Sequence, residues 1–144
     1  MGEMNNPGVG QDGFDLTQFY GVFFEEAREN LANMESLLID IDVAQPTDEE
    51  LNAIFRAAHS IKGGAATFGF NEVAALTHEL ETLLDRLRRH ELALKRPMVD
   101  VLLEAGDVLR AQLARYRGAT DSSPDTAQLV DRVKRLAAGE SLEV

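Results

Sequence analysis

The sequence contains no cysteine and no tryptophan, and only four of its 144 residues are proline. Without cysteine the chain can form neither a disulfide nor a thiolate metal site, and we expect a reducing, cytoplasmic environment. No apolar run approaches the roughly 20 residues that cross a bilayer. The N-terminal residues 1–13 are polar and rich in glycine and asparagine, unlike a signal peptide. We predict that they form a flexible lead-in.

Basic side chains are also scarce. Fourteen lysines and arginines stand against 25 aspartates and glutamates, which gives a formal net charge of -11. Nucleic acid and anionic lipid are both bound through clustered Lys and Arg, so we expect neither nucleic acid nor a membrane surface as a partner. An acidic surface also gives no reason for self-association, and a monomer is expected. Apolar residues make up 44% of the chain, enough for one folded domain of this length.

Apolar residues recur at steps of three and four along most of the chain, which is the spacing of amphipathic helices. The first stripe predicts a helix that is capped by Asp15 and ends near Gln45 and Pro46. Its inward residues are Leu16, Phe19, Phe23, Ala27, Leu31, Met34, Leu38 and Ile41.

A second helix opens at Thr47, which forms a capping box with Glu50, and it ends at the Phe68-Gly69-Phe70 sequence. Its predicted stripe comprises Leu51, Ile54, Phe55, Ala58, Ile61 and Ala65. A third helix is predicted to be capped by Asn71 and carries Val73, Leu76, Leu80, Leu83 and Leu87 at three-four spacing.

Pro97 is predicted as the first residue of a fourth helix. A short fifth helix should begin at Ser123-Pro124 and end before Gly139. No segment alternates as a strand would. The pattern therefore predicts an all-α fold, an antiparallel four-helix bundle plus a fifth C-terminal helix, over residues 14–138, followed by a linker at 139–144.

The second helix contains an unusual group of residues. His59 lies about a quarter turn from the centre of the apolar stripe, at the boundary between core and solvent. Lys62 is three residues further on, within reach of the imidazole. Gly63 and Gly64 follow, although each glycine inside a helix costs on the order of 1 kcal/mol relative to alanine.

These features together suit phosphoryl transfer. A neutral imidazole is a good nucleophile for phosphorus, and a lysine can offset the charge of phosphoryl oxygens. The missing side chains at Gly63 and Gly64 would let a partner's active site come close. Each feature also has an ordinary explanation, namely a surface histidine, a solvated lysine and a glycine pair that permits close helix packing. From the residues alone, the role of His59 stays open.

The sequence contains no complete motif for a metal or nucleotide site. The sequence from His78 to Thr82 begins like a zinc-protease motif but lacks the second histidine four residues on. No Glu-x-x-His pair of a di-iron bundle is present, and no glycine-rich loop has the phosphate-binding spacing. We therefore expect no metal and no cofactor in this domain. His78 and Glu81 share one face of the third helix, which spacing alone would assign to solvent.

The sequence RAAHSIKGGA from Arg56 to Ala65, followed by TFGF from Thr67 to Phe70, resembles the phosphorylation-site helix of one known family. That family is the N-terminal histidine phosphotransfer (HPt, or P1) domain of the CheA chemotaxis kinases. The resemblance continues through THELE at residues 77–81 and the five-helix plan, and it covers about residues 15–138.

The resemblance implies a role for each site residue. His59 would be phosphorylated on its outer ring nitrogen, and Glu81 would accept a hydrogen bond from the inner ring nitrogen. Lys62 would lie beside the phosphate, and His78 would be a second imidazole near the site.

The resemblance also implies a function in two-component signal transduction. The domain would not be an enzyme on its own. A CheA-type kinase domain, expected on the same longer polypeptide and binding the ATP, would transfer the γ-phosphoryl group to His59. An aspartate of a CheY-like response regulator would then receive it. Two alternatives stay open: a free-standing HPt protein of a multistep phosphorelay, and a structural helical interaction bundle in which His59 has no chemical role.

Overall fold

The computed structural model describes residues 16–141, which form five α-helices and no strand. The predicted all-α fold is confirmed. The predicted cap at Asp15, the lead-in at residues 1–13 and the end of the chain at 142–144 lie outside the described residues, as do the side chains of residues 16–19. The helices are α1 (Leu16–Asp40), α2 (Asp48–Phe68), α3 (Asn71–Arg88), α4 (Arg96–Tyr116) and α5 (Ala127–Ala137).

The first four helices close into a ring. Helix α2 packs between α1 and α3, and α4 completes the ring by packing on the same two helices. Short connections join successive helices, so neighbours run antiparallel. Helix α5 lies against α3 and α4. Within residues 16–141, no helix is both long and apolar enough to cross a membrane.

The predicted stripes form the core. Every residue of the first stripe from Phe23 to Ile41 is buried, and so are those of the α3 stripe. In α2 the stripe is buried except at Phe55, which is only half-buried. Buried apolar area is the main favourable term in folding, so these seams hold the bundle together.

The two ends of α2 follow the prediction. The Thr47 backbone nitrogen donates to Glu50 Oε1 at 3.0 Å, and the Glu50 nitrogen donates to Thr47 Oγ1 at 3.1 Å, which makes a complete capping box. At the other end, Gly69 has a φ of 76°. This left-handed conformation favours glycine and ends the helix immediately after Phe68.

Two helix boundaries differ from the prediction because aspartates bind nearby backbone. Helix α1 ends at Asp40 rather than near Gln45, and the Asp42 carboxylate accepts the backbone N–H of Ala44 at 3.0 Å. Helix α5 begins at Ala127 rather than Ser123, and the Asp125 carboxylate accepts the N–H of Ala127 at 3.0 Å. Such local bonds replace a helical turn with an Asx-type turn.

Two smaller corrections concern α3 and α4. Asn71 is the first residue of α3 and not its cap; Phe70 occupies the cap position and makes no side-chain capping bond. Pro97 is the second residue of α4, after Arg96. Proline is tolerated there because the first turn of a helix has no internal acceptor for its N–H groups.

Candidate functional site

His59 lies on α2 where this helix faces α3. Its neighbour Ala58 is fully buried, whereas 61% of the His59 side chain is exposed. The inner ring nitrogen, Nδ1, is 2.8 Å from Oε2 of Glu81 on α3. The packing of α2 against α3 thus brings together two residues that are 22 positions apart in the sequence.

Glu81 also binds Lys62. The Lys62 ammonium donates to Oε1 of Glu81 at 2.8 Å, so each carboxylate oxygen has its own partner. Burial of the carboxyl would by itself raise its pKa. The hydrogen bonds from Lys62 and His59, together with their charges, outweigh burial and hold the pKa of Glu81 below its ordinary value.

The ionised state of Glu81 defines the tautomer of His59. An ionised carboxylate can only accept hydrogen bonds, so the proton of the 2.8 Å contact belongs to Nδ1 of His59. In the neutral imidazole, the outer nitrogen Nε2 then carries the free electron pair. The site therefore presents an oriented nucleophilic nitrogen to solvent, with a lysine beside the carboxylate that orients it.

The two glycines have different surroundings. A Cβ atom added to Gly63 would meet nothing within 4 Å, and this position is exposed. A Cβ added to Gly64 would come within 2.5 Å of the Phe23 ring of α1. The bare backbone at Gly64 is therefore explained by close packing of α1 on α2, which is the ordinary explanation for a glycine pair. At Gly63 packing gives no reason for a glycine, and access for a partner stays a prediction.

The other two histidines lie outside this cluster. The His78 side chain is exposed, and it makes no hydrogen bond or ion pair with any other described residue. His78 shares a face of α3 with Glu81 but makes no hydrogen bond to His59. Its role near the site therefore stays a prediction. His90 follows the end of α3, and its Nε2 atom is 2.8 Å from Oδ1 of Asp48. Over the described range, no group of three or more His, Asp or Glu could hold a metal ion.

Sequence reasoning missed Phe55, which borders His59, and Arg88, which borders Phe55. The Phe55 ring, four positions earlier on α2, stacks on the imidazole with a centroid distance of 5.9 Å and an interplanar angle of 12°. The guanidinium carbon of Arg88, on α3, lies 3.9 Å from the centroid of Phe55. The i, i+4 spacing of Phe55 and His59 is the available signal, but Phe55 also fits the apolar stripe, which predicts a core position.

Comparison with known proteins identifies the family to which the chain belongs. The family model of the Hpt domain matches residues 18–138. The chain belongs to the Hpt domain family, the histidine phosphotransfer domains.

The resemblance to CheA is confirmed as well. The chain is 50% identical over 111 residues to the chemotaxis protein CheA of Klebsiella aerogenes, covering 77% of this chain and 17% of that protein. It is 48% identical over 113 residues to CheA of Salmonella typhimurium, covering 78% and 16%. The chain thus spans about a sixth of the length of these curated relatives.

Solved structures agree with this relationship. The solution structure of the histidine phosphotransfer domain of CheA superposes with a TM-score of 0.72 at 28% identity, covering 88% of this chain and 97% of that one. The phosphorylated P1 domain of CheA3, in complex with CheY6 from R. sphaeroides, superposes with a TM-score of 0.74 at 24% identity, covering 86% and 98%. This second likeness shows the shared fold. The chain is a phosphotransfer domain of the CheA type.

Proposed function

We propose that His59 is the residue that carries the phosphoryl group. In this proposal a CheA-type kinase domain loads His59 from ATP, and an aspartate of a CheY-like response regulator receives the group. The observation that carries the proposal is the hydrogen bond from Nδ1 of His59 to Glu81, which leaves Nε2 free for attack in an exposed ring. The CheY6 complex of the CheA3 domain supports the choice of regulator class.

The loading step is an in-line displacement at the γ-phosphorus of ATP. The electron pair of Nε2 forms the N–P bond, the bond from phosphorus to the β,γ-bridging oxygen breaks, and ADP leaves. The positive charge that develops on the imidazole is stabilised through Nδ1 by the Glu81 carboxylate. Lys62, already beside that carboxylate, offsets the charge of the arriving phosphoryl oxygens.

In the donating step, the N–P bond that formed during loading is the bond that breaks. A carboxylate oxygen of the regulator's aspartate attacks phosphorus, the N–P bond breaks, and its electron pair returns to Nε2 of His59. The attacking carboxylate must approach nearly in line with that bond. The open backbone at Gly63, one turn beyond His59, supports such an approach because no side chain obstructs it.

The domain acts in this scheme as substrate and carrier and does not phosphorylate itself. ATP would be held by the separate kinase domain, and no cofactor is assigned to residues 16–141. Because ATP is a cytoplasmic metabolite, the proposal carries with it a cytoplasmic location. His78 would contribute as a second imidazole on the Glu81 face of α3.

The test is transfer of label from ATP, labelled at its γ-phosphorus, by a CheA-type kinase core that lacks its own phosphotransfer domain. We expect the wild type to acquire an acid-labile, alkali-stable phosphate and to lose it when a CheY-like regulator is added. His59→Gln should acquire none, because the amide has no nucleophilic ring nitrogen.

His90→Gln is the matched control, since it removes an exposed histidine that is paired with Asp48 and lies outside the cluster. It should load like the wild type. Label on His59→Gln would show that another residue carries the phosphate. If neither the wild type nor His90→Gln is labelled by any of several such kinase cores, the structural-bundle alternative is favoured.

A further inference from the structure

The imidazole of His59 is restrained by a contact that involves none of its nitrogens. The Phe55 ring lies nearly parallel to it, with centroids 5.9 Å apart and 12° between the planes. This is the offset-stacked arrangement that aromatic pairs favour. Both residues are on α2, four positions apart, so the helix itself holds the two rings on one face.

Phe55 is held in turn from the neighbouring helix. Arg88, in the last turn of α3, places its guanidinium carbon 3.9 Å from the Phe55 centroid, which is a cation–π contact. The Arg88 guanidinium is oriented by Asp85, whose Oδ1 atom lies 2.8 Å from Nε and 2.7 Å from Nη2. Helix α3 thus supports both Glu81, which binds the imidazole, and Arg88, which contacts the ring beside it.

The two contacts restrict different motions of the imidazole. The hydrogen bond to Glu81 fixes one atom, Nδ1, but a largely exposed ring can still pivot about that bond. A second ring stacked on its face opposes this pivoting, because tilting the imidazole would break the parallel contact. The direction in which Nε2 points is therefore fixed only when both contacts are present.

We propose that Phe55, held by Arg88 and Asp85, is a positioning residue that fixes the plane of the His59 imidazole for phosphoryl transfer. The inference rests on the proposed function of His59 and deepens it. In-line transfer needs the attacking electron pair to point at phosphorus, and small misplacements of a reacting group reduce rates strongly. Phe55 does not touch the phosphoryl group and acts through His59.

The test compares Phe55→Leu with the wild type in single-turnover loading from ATP by a CheA-type kinase core. Leucine keeps an apolar side chain but has no ring face. We expect loading to slow by roughly 3- to 10-fold, and Phe55→Tyr, which keeps the ring, to restore the wild-type rate. Arg88→Met, which removes only the charged group that holds Phe55, should slow loading to an intermediate degree.

Nuclear magnetic resonance of the His59 ring supplies a second readout. The ring protons of His59 should lose the ring-current shift from Phe55 in Phe55→Leu and keep it in Phe55→Tyr. Phe68→Leu is the matched control, because it removes an aromatic ring from the same helix. Phe68 makes an edge-to-face contact with Tyr20, at a centroid distance of 5.0 Å, and no ring contact with His59. It should leave both readouts unchanged.

The outcomes separate this inference from the proposed function. A wild type that acquires no phosphate on His59 contradicts the proposed function itself. The positioning role alone is overturned if the wild type loads normally and Phe55→Leu loads as fast as the wild type. It is also overturned if Phe55→Leu loads no more slowly than Phe68→Leu. Unchanged His59 ring resonances in Phe55→Leu would overturn it as well.

Discussion

Glu81 is a carboxylate shared by two side chains that have different roles in the proposed chemistry. One oxygen accepts from Nδ1 of His59 and the other from the ammonium of Lys62, both at 2.8 Å. Only 17% of its side chain is exposed, compared with 28% for Lys62 and 61% for His59, so the carboxylate is the most shielded of the three groups. Glu81 therefore links the nucleophile to the cation that would offset the phosphoryl charge.

Replacement of Glu81 by glutamine tests this link. The amide has one accepting oxygen in place of two and no negative charge, so it gives much less stabilisation to a developing positive charge on His59 and to Lys62. We expect Glu81→Gln to slow loading of His59 by about 10- to 100-fold, the range seen when partners that orient metal-binding histidines are removed. Circular dichroism should show an unchanged helix content. Equal loading rates for the two proteins would remove Glu81 from the mechanism.

The lowered pKa of Glu81 also predicts a dependence of stability on acid. Because its pKa is lower in the folded than in the unfolded protein, the ionised carboxylate stabilises the fold above the ordinary value of 4.5. This contribution is lost as the pH falls below that value and through the folded pKa. Urea unfolding of the wild type and Glu81→Gln should show a stability difference at about pH 5.5 that shrinks at about pH 3.5. A difference that is the same at both pH values would contradict this assignment.

The sequence was informative about these residues to different degrees. His59 and Lys62 could be selected from the spacing on one helix, because residues three apart share a face. Glu81 could not be selected from spacing, since its solvent-facing position on α3 looks ordinary until α2 packs against it. The pattern predicts a core position for Phe55, because a stripe residue and a ring stacked on a boundary histidine have the same helical periodicity.

Helix α2 combines a strong start with a weak interior. The capping box at Thr47 and the left-handed Gly69 define its ends, whereas Gly63 and Gly64 lower its intrinsic stability. The structure separates the reasons for the two glycines. Gly64 allows α1 to pack closely through Phe23, and Gly63 leaves the exposed face of the helix open beside His59.

Alanine at each glycine should therefore change stability in opposite directions. Gly63→Ala gains helix propensity without any new contact, and we expect it to raise the free energy of unfolding by roughly 0.5–1 kcal/mol. At Gly64 the new methyl group would overlap the buried ring of Phe23, and overpacking of this kind costs about 1–3 kcal/mol. Gly64→Ala should be the less stable variant in thermal and urea unfolding.

The two proteins are controls for one another, since each carries one added methyl group on adjacent positions of α2. Equal stabilities, or a Gly64→Ala protein that is more stable than Gly63→Ala, would show that Phe23 moves aside without cost and that the packing explanation for Gly64 is wrong.

The bundle as a whole was largely predictable because its helices follow one repeated rule. Apolar residues at steps of three and four identified five helices in order, and most of the described residues so identified are buried, Phe55 being half-buried. The boundaries were less predictable. Asp42 and Asp125 bind neighbouring backbone N–H groups, so α1 ends before the position expected from Pro46 and α5 begins after the position expected from Ser123-Pro124.

The contacts between side chains of different helices depend on tertiary packing and could not be predicted from periodicity. The pairing of α2 with α3 places Glu81 against His59 and Arg88 against Phe55. The packing of α1 on α2 explains why residue 64 is a glycine, because Phe23 fills the space that a side chain would need. A pattern within one helix contains no direct information about which side chain of another helix it will meet.

The most direct test of the central claim is to identify the nitrogen that holds the phosphorus. Nuclear magnetic resonance of the loaded domain, labelled with nitrogen-15 in its histidine rings, can detect the coupling between phosphorus and the nitrogen bonded to it. We predict coupling to Nε2 of His59, with Nδ1 of the same ring still protonated and bound to Glu81. Coupling to Nδ1 of His59, or to a nitrogen of His78 or His90, would contradict the account.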